Sequence, residues 1–191
     1  AGRIYEQKGQ LDAVKAIDYL IGLGITNVNL TIAGDIEDIG YANKIKNFIN
    51  VHELSEFIKI IDHVDLKELR KRSDIGVVCS KKEAFGRVTI ETMVSKMLVI
   101  GSNTGGTVEI INDNVNGLLY QQGDYISLAN RIKYAIENRD EMDSIIQNGY
   151  KSVLENYSIS RVVDQIMEVY NVENITINHM WSNAVSCSGE Y

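Results

Sequence analysis

The sequence predicts an α/β protein built on a doubly wound parallel sheet, with helices alone at its C-terminal end. Short, uniformly apolar runs such as Asn27 to Ala33, Asp74 to Cys79 and Leu98 to Gly101 alternate with stretches of helical periodicity. Strands apolar on both sides must be covered on both faces, which is what the crossover helices of βαβ units do. From about Tyr125 the strand pattern stops. Apolar stripes replace it, first Leu128, Ile132 and Ile136, then Met142, Ile145 and Ile146, then Val162, Val163, Ile166 and Val169.

The elements follow in order. Residues 1–5 look like the tail of a strand, and a glycine turn leads into an amphipathic helix from about Gln10 to Leu23. The β-branched run Asn27 to Ala33 ends at Gly34-Asp35, a buried strand reaching a tight turn, and a helix from about Asp38 to Phe48 follows. Phe57 to Ile61 is the next strand. A brief polar-faced helix spans Asp65 to Arg72, with Asp65 as its N-cap. Asp74 to Cys79 is a strand, Val88 to Lys96 a helix, Leu98 to Gly101 a strand and Val108 to Asn112 a short helix before the strand Gly117 to Tyr120. The helices from Tyr125 onward are expected to clasp the sheet. Residues 1–170 thus form one Rossmann-like domain, and 171–191 lack any pattern, as expected of a loosely held tail or an appended segment.

Composition bounds the function. The chain has 191 residues, 45% of them hydrophobic, enough for a proper core. A net charge of -7 argues against a nucleic-acid surface, which needs clustered Lys and Arg, so any phosphate must be met locally. Two cysteines, Cys79 and Cys187, make neither a disulfide framework nor a metal site and fit a reducing cytoplasm. No apolar run suggests a membrane-spanning helix. The chain has no proline, which is unusual for a protein with this many loops.

In an open parallel sheet ligands bind beyond the carboxyl ends of the strands. One such loop, Ser80 to Arg87, opens directly into the helix carrying Glu91. Gly86 allows close backbone approach, and the free N–H groups of about Arg87, Val88 and Thr89 form an anion site suited to a diphosphate. Glu91, one helical turn deeper, can accept hydrogen bonds from a pair of sugar hydroxyls, leaving Glu83 to face the other end of the ligand. Arg3 and Lys8 sit at another strand-to-helix junction, where both can reach a phosphate and neutralise a leaving diphosphate. The loop Ser102 to Thr107 has two glycines, Gly105 and Gly106, whose role is first of all conformational. Phe85 either plugs its loop against the core or lines a sugar pocket. No histidine is expected to be catalytic. The basic face Lys67, Arg70, Lys71 and Arg72 reads as solvated surface, with contact to anionic lipid as the other reading.

Taken together, Arg3 and Lys8 with their flanking glycines, Glu83-x7-Glu91 enclosing Phe85-Gly86, Asn103 to Glu109 and Asn116-Gly117-Leu118-Leu119-Tyr120 resemble the C-terminal domain of family 4 glycosyltransferases, retaining enzymes of the GT-B fold. The resemblance runs from Gly2 to about Tyr170. It implies that Arg3 and Lys8 hold the diphosphate of a nucleotide-sugar, that Glu91 takes the ribose hydroxyls and that Glu83 contacts the transferred sugar. Phe85, Gly86 and Arg87 would line sugar and phosphate through their backbone, with Val88 beside them, and His63 and Val64 would offer main-chain groups to the base. It further implies no metal or other cofactor, the nucleotide-diphosphate-sugar being the donor substrate. The acceptor would be a glycan or lipid-linked sugar in bacterial polysaccharide or glycolipid synthesis, in the cytoplasm or peripherally at the inner face of the membrane.

Two features depart from the family. Ser95-Lys96-Met97 stands where the family usually has a Gly-x-Pro turn, so a reshaped turn with an effect on stability is expected. The N-terminal domain that supplies the acceptor site and the opposite wall of the cleft is not among these residues, so the chain is expected to bind donor and hardly to turn it over. A non-catalytic binding module and a nucleotide-sugar epimerase fragment share the fold, but Arg3, Lys8, Glu83 and Glu91 together argue against both.

Overall fold

The computed structural model describes residues 2–62 and 65–157. The expectations for His63 and Val64, for the stripe of Val162, Val163, Ile166 and Val169, and for the tail 171–191 lie outside the described residues. The chain divides into a compact unit, Ala1–Leu154, and a second, Glu155–Tyr191, of which only residues 155–157 are described.

Among the described residues five strands and seven helices alternate much as expected. Helix α1 (Gln10–Gly22) precedes β1 (Leu30–Ala33), α2 (Ile39–Val51) precedes β2 (Ile58–Ile61), and α3 (Leu66–Lys71) precedes β3 (Ile75–Val78). Then come α4 (Arg87–Val94), β4 (Leu98–Ser102), α5 (Gly106–Ile110), β5 (Leu118–Tyr120), α6 (Tyr125–Glu137) and α7 (Arg139–Asn156). Asp65 caps α3, its carboxylate accepting from the N–H groups of Lys67 and Glu68.

Every ladder is parallel, but the strands fall into two sheets, β1-β2 and β3-β4-β5. The expected first strand is reduced to a single bridge between Ile4 and Ile36. Its segment nonetheless fills the gap between the sheets. Gly2 N–H donates to the Ala33 carbonyl and Ile4 N–H to that of Asp35, both at 2.8 Å, while the Gln7 carbonyl accepts from Lys81 N–H at 2.8 Å beyond the end of β3. Ladder formation stops after Ile4 because Tyr5 leads at once into a 3-10 turn, Glu6–Lys8.

The core explains why this arrangement holds. Ile4, Leu20, Ile45, Ile100, Leu118 and Leu128 are fully buried, and each such side chain contributes roughly 1.5–3 kcal/mol. Helices α1 and α6 pack on one another, with the rings of Tyr19 and Tyr125 meeting edge-on at 6.5 Å. Helix α4 lies over β3 and β4, so closely that a Cβ on Gly76 would come within 2.5 Å of Thr92.

The segment Ser95-Lys96-Met97 ends α4 in a regular cap. Lys96 adopts φ 55, and the N–H groups of Lys96 and Met97 return to the carbonyls of Met93 and Thr92. This is a Schellman cap with lysine in the left-handed position where glycine is favoured. The Lys96 ammonium lies 4.8 Å from the centre of the Tyr150 ring.

Candidate functional site

Three chain segments converge beyond the carboxyl end of β3. The strand runs into Cys79 and Ser80, both buried, and then into the loop carrying Glu83. Gly9, at φ 64, ends the 3-10 turn so close to β3 that a Cβ there would lie 2.2 Å from the Cys79 carbonyl oxygen. That approach delivers Lys8 to the loop. The Lys8 ammonium donates to Glu83 Oε2 at 2.9 Å, and the Ser80 hydroxyl donates to the same oxygen at 3.0 Å.

The third segment is the glycine loop after β4. Gly106 N–H donates to the Glu83 carbonyl at 2.7 Å, and the Ser102 hydroxyl donates to the Ser80 carbonyl at 2.8 Å. Gly105, at φ 52, leaves no room for a side chain against the Glu83 backbone. The two glycines are conformational devices, as expected, and what they fix is the main chain of Glu83.

The Glu83 side chain is only 14% exposed. Burial pushes its carboxyl up, but hydrogen bonds from Lys8 and Ser80, the Lys8 charge and the Gly86 N–H outweigh burial and hold it below its ordinary value. Glu83 is therefore a fixed carboxylate at neutral pH. The buried Cys79 behind it is inert, since burial pushes its thiol up to about 12.

Helix α4 begins immediately after. Gly86, buried and left-handed at φ 81, is its N-cap and offers no side-chain hydrogen bond to the first N–H groups, those of Arg87 to Thr89. Arg87 is exposed beside them and Val88 half-buried. Phe85 is 58% exposed and so does not plug the loop against the core.

The structure brings Lys8 and Glu83 together but gives Arg3 and Glu91 other partners. Arg3 pairs with Glu37 at 2.7 Å and lies over the Tyr5 ring, both charged groups being well exposed. Glu91 is paired with Arg70 of α3. Of the four basic residues on and after α3, Arg70 thus pairs with Glu91 and Lys71 with Glu68, while Lys67 and Arg72 are exposed, as expected of a solvated surface. Sequence reasoning missed Ser80 and Arg70. Ser80 stands three residues before Glu83, a spacing that can serve as a signal, whereas nothing in the sequence relates Arg70 to Glu91.

Asn116, part of the Asn116-Gly117 motif, is structural. It is buried, donates to the Ile110 carbonyl at 3.0 Å and accepts from Asn112 N–H at 2.7 Å. A cavity of about 650 Å³ lies near it, lined by Val108, Asn112, Val115, Asn148 and Ser152 and by none of the predicted site residues. The predicted site residues lie instead beyond the end of β3, where the Glu83 carboxylate and the Lys8 ammonium meet. Among the described residues no three His, Cys, Asp or Glu side chains are grouped to hold a metal ion.

A domain of parallel strands and crossover helices, with its glycine loops gathered beyond the carboxyl end of a strand, belongs to the Rossmann-like class of α/β folds. The comparisons with known proteins narrow the class. The family model of glycosyl transferases group 1 matches residues 1–152. An uncharacterized glycosyltransferase of Methanocaldococcus jannaschii is 30% identical over 169 residues, covering 86% of this chain and 43% of the relative. Anabaena HepE, solved in complex with UDP, superposes with a TM-score of 0.81 at 25% identity, over 88% of this chain and 47% of that one. The isolated C-terminal domain of LpcC, a glycosyl transferase group 1 family protein from Francisella tularensis, gives 0.76 at 27% identity, over 83% of this chain and 84% of that one. This chain belongs to the group 1 glycosyl transferases and has the Rossmann-like C-terminal domain of their GT-B fold. It spans under half the length of the curated relatives it matches.

Proposed function

We propose that this chain is the donor-binding domain of a retaining glycosyltransferase that transfers a sugar from a nucleotide-diphosphate-sugar. The observation that carries the reading is the Lys8–Glu83–Ser80 group at the mouth of the uncapped α4 N-terminus. The N–H groups of Arg87, Val88 and Thr89 would receive the diphosphate, with the backbone of Phe85, Gly86 and Arg87 along sugar and phosphate. Lys8, already within 2.9 Å of Glu83, would lie between that carboxylate and the diphosphate oxygens. Arg3 would turn from its exposed pair with Glu37 to join it. As the sugar–phosphate bond breaks, negative charge grows on the diphosphate and positive charge on the sugar. The ammonium and helix terminus meet the first, and the ionised Glu83 meets the second. The acceptor hydroxyl then attacks from the face the diphosphate leaves, passing its proton to the departing diphosphate oxygen, which retains the anomeric configuration. Glu91 would accept from the ribose hydroxyls, and His63 and Val64 would present main-chain groups to the base.

In this reading the electrostatic work falls to Lys8, Arg3 and the helix terminus with no metal cofactor, and a chelator leaves binding unchanged. The acceptor, a glycan or lipid-linked sugar, is presented by a partner N-terminal domain at the cytoplasmic face of a bacterial membrane during polysaccharide or glycolipid synthesis. HepE was solved with UDP, which makes uridine diphosphate the first probe. Calorimetry of the chain with uridine, guanosine and adenosine diphosphates should find binding to at least one, weakened at least about tenfold in the R3A/K8A variant. Equally poor binding of all three by both proteins would overturn the reading.

A further inference from the structure

Of the four basic residues on and after α3, Arg70 alone reaches across to α4. Lys71 is taken by Glu68, and the helix is pinned at both ends by the Asp65 cap and by the Ser73 hydroxyl, which donates to the Leu69 carbonyl at 2.8 Å. A short helix held in this way presents Arg70 from a fixed position. The Arg70 side chain is 20% exposed and donates through Nη2 to Glu91 Oε2. Glu91 is itself anchored one turn into α4, where its main-chain carbonyl accepts from the Ser95 hydroxyl at 2.7 Å.

A carboxylate on an exposed helix turn samples several rotamers, and binding a ligand through it costs the entropy of selecting one. A guanidinium on one oxygen removes most of that freedom and keeps the carboxylate ionised, while the second oxygen remains an acceptor. We propose that Arg70 is a positioning residue that holds Glu91 with its Oε1 presented to the 2′ and 3′ hydroxyls of a nucleoside diphosphate, and so makes this domain selective for ribonucleotides. The inference rests on the donor-site reading above. Arg70 itself touches no ligand; it acts through Glu91.

The test is calorimetry on the 191-residue chain, with whichever of uridine, guanosine or adenosine diphosphate binds and with its 2′,3′-dideoxy counterpart. Arg70→Gln should weaken the ribonucleotide about fivefold to tenfold and the dideoxynucleotide less than about twofold, because only the first has hydroxyls for Glu91 to receive. Arg70→Lys, which keeps the charge without the planar fork, should recover part of the loss. In an E91Q background, Arg70→Gln should have no further effect. Unchanged or tighter ribonucleotide binding by R70Q would overturn the inference, as would an equal loss for both ligands. A wild-type chain that binds none of the three diphosphates overturns the donor-site reading and this inference with it. Wild-type binding with an indifferent R70Q overturns this inference alone.

Discussion

Gly105→Ala is the most direct test of how the glutamate loop is held. Gly105 has φ 52 and ψ -146, a region that L-residues rarely adopt, so alanine pays strain of about 1–2 kcal/mol. Its Cβ would also fall 2.3 Å from the Glu83 carbonyl oxygen and 3.0 Å from the Glu83 nitrogen. Those are backbone atoms, so no rotamer change relieves the clash. Moving the loop costs about 1–3 kcal/mol by analogy with overpacked cores, and the Gly106 to Glu83 hydrogen bond is worth about 1 kcal/mol more if it breaks. The sum is about 3–6 kcal/mol. Gly123 supplies the control, since it has φ 78 but nothing within 4 Å of its virtual Cβ. Gly123→Ala carries the strain alone, about 1 kcal/mol. Urea unfolding followed by circular dichroism should therefore separate the two variants by at least about 2 kcal/mol. Nucleoside diphosphate binding should fall in the first and persist in the second. Equal destabilisation within about 0.5 kcal/mol would refute the close approach of the two loops.

Two further predictions rest on charge and on backbone conformation. Glu83 has a depressed carboxyl, so the stability it confers is present above its unfolded value near 4.5 and is lost as pH falls through the lower folded value. Lys8→Met should accordingly cost about 1 kcal/mol at pH 7, and the gap to wild type should close in unfolding curves taken progressively below pH 4.5. A gap that widens with acid would sink that assignment. Lys96→Gly removes a left-handed lysine and should stabilise the chain by about 0.5–1 kcal/mol, reduced by the lost contact with Tyr150. Its thermal midpoint should rise while nucleotide affinity stays constant.

The alternation of strands and helices was legible because burial on both faces imposes a composition that a reader can recognise, as at Leu98 to Ser102, all of it buried. Asp65 was legible as a cap for a similarly local reason: its partners are two and three residues away. The strand at Ile4 was overestimated, because a β-like pattern does not reveal that Tyr5 turns out of the ladder at once. At the site, the loop and its glutamates were visible as a motif, but the partners of long side chains were not. Lys8 and Glu83 are 75 residues apart, and Arg70 and Glu91 are 21 apart on different helices. Such pairs depend on where tertiary packing leaves two flexible side chains, which periodicity and local propensity do not encode. Arg3 illustrates the point, for its residue type suits a phosphate and yet its partner is Glu37.

The stretch from Gly2 to Gly9 has two attachments, to β1 through Ala33 and Asp35 and to the end of β3 through Gln7 and Lys81. It is thus a shared strut. Lys8, the residue proposed to meet the diphosphate, is mounted on the same backbone that bonds to both. Two glycines set the clearance at its ends, Gly9 against the Cys79 carbonyl and Gly34 against that of Gly2, for a Cβ on either would lie only 2.2 Å from the carbonyl oxygen. A ligand held by Lys8, as proposed, would brace that strut from its outer end.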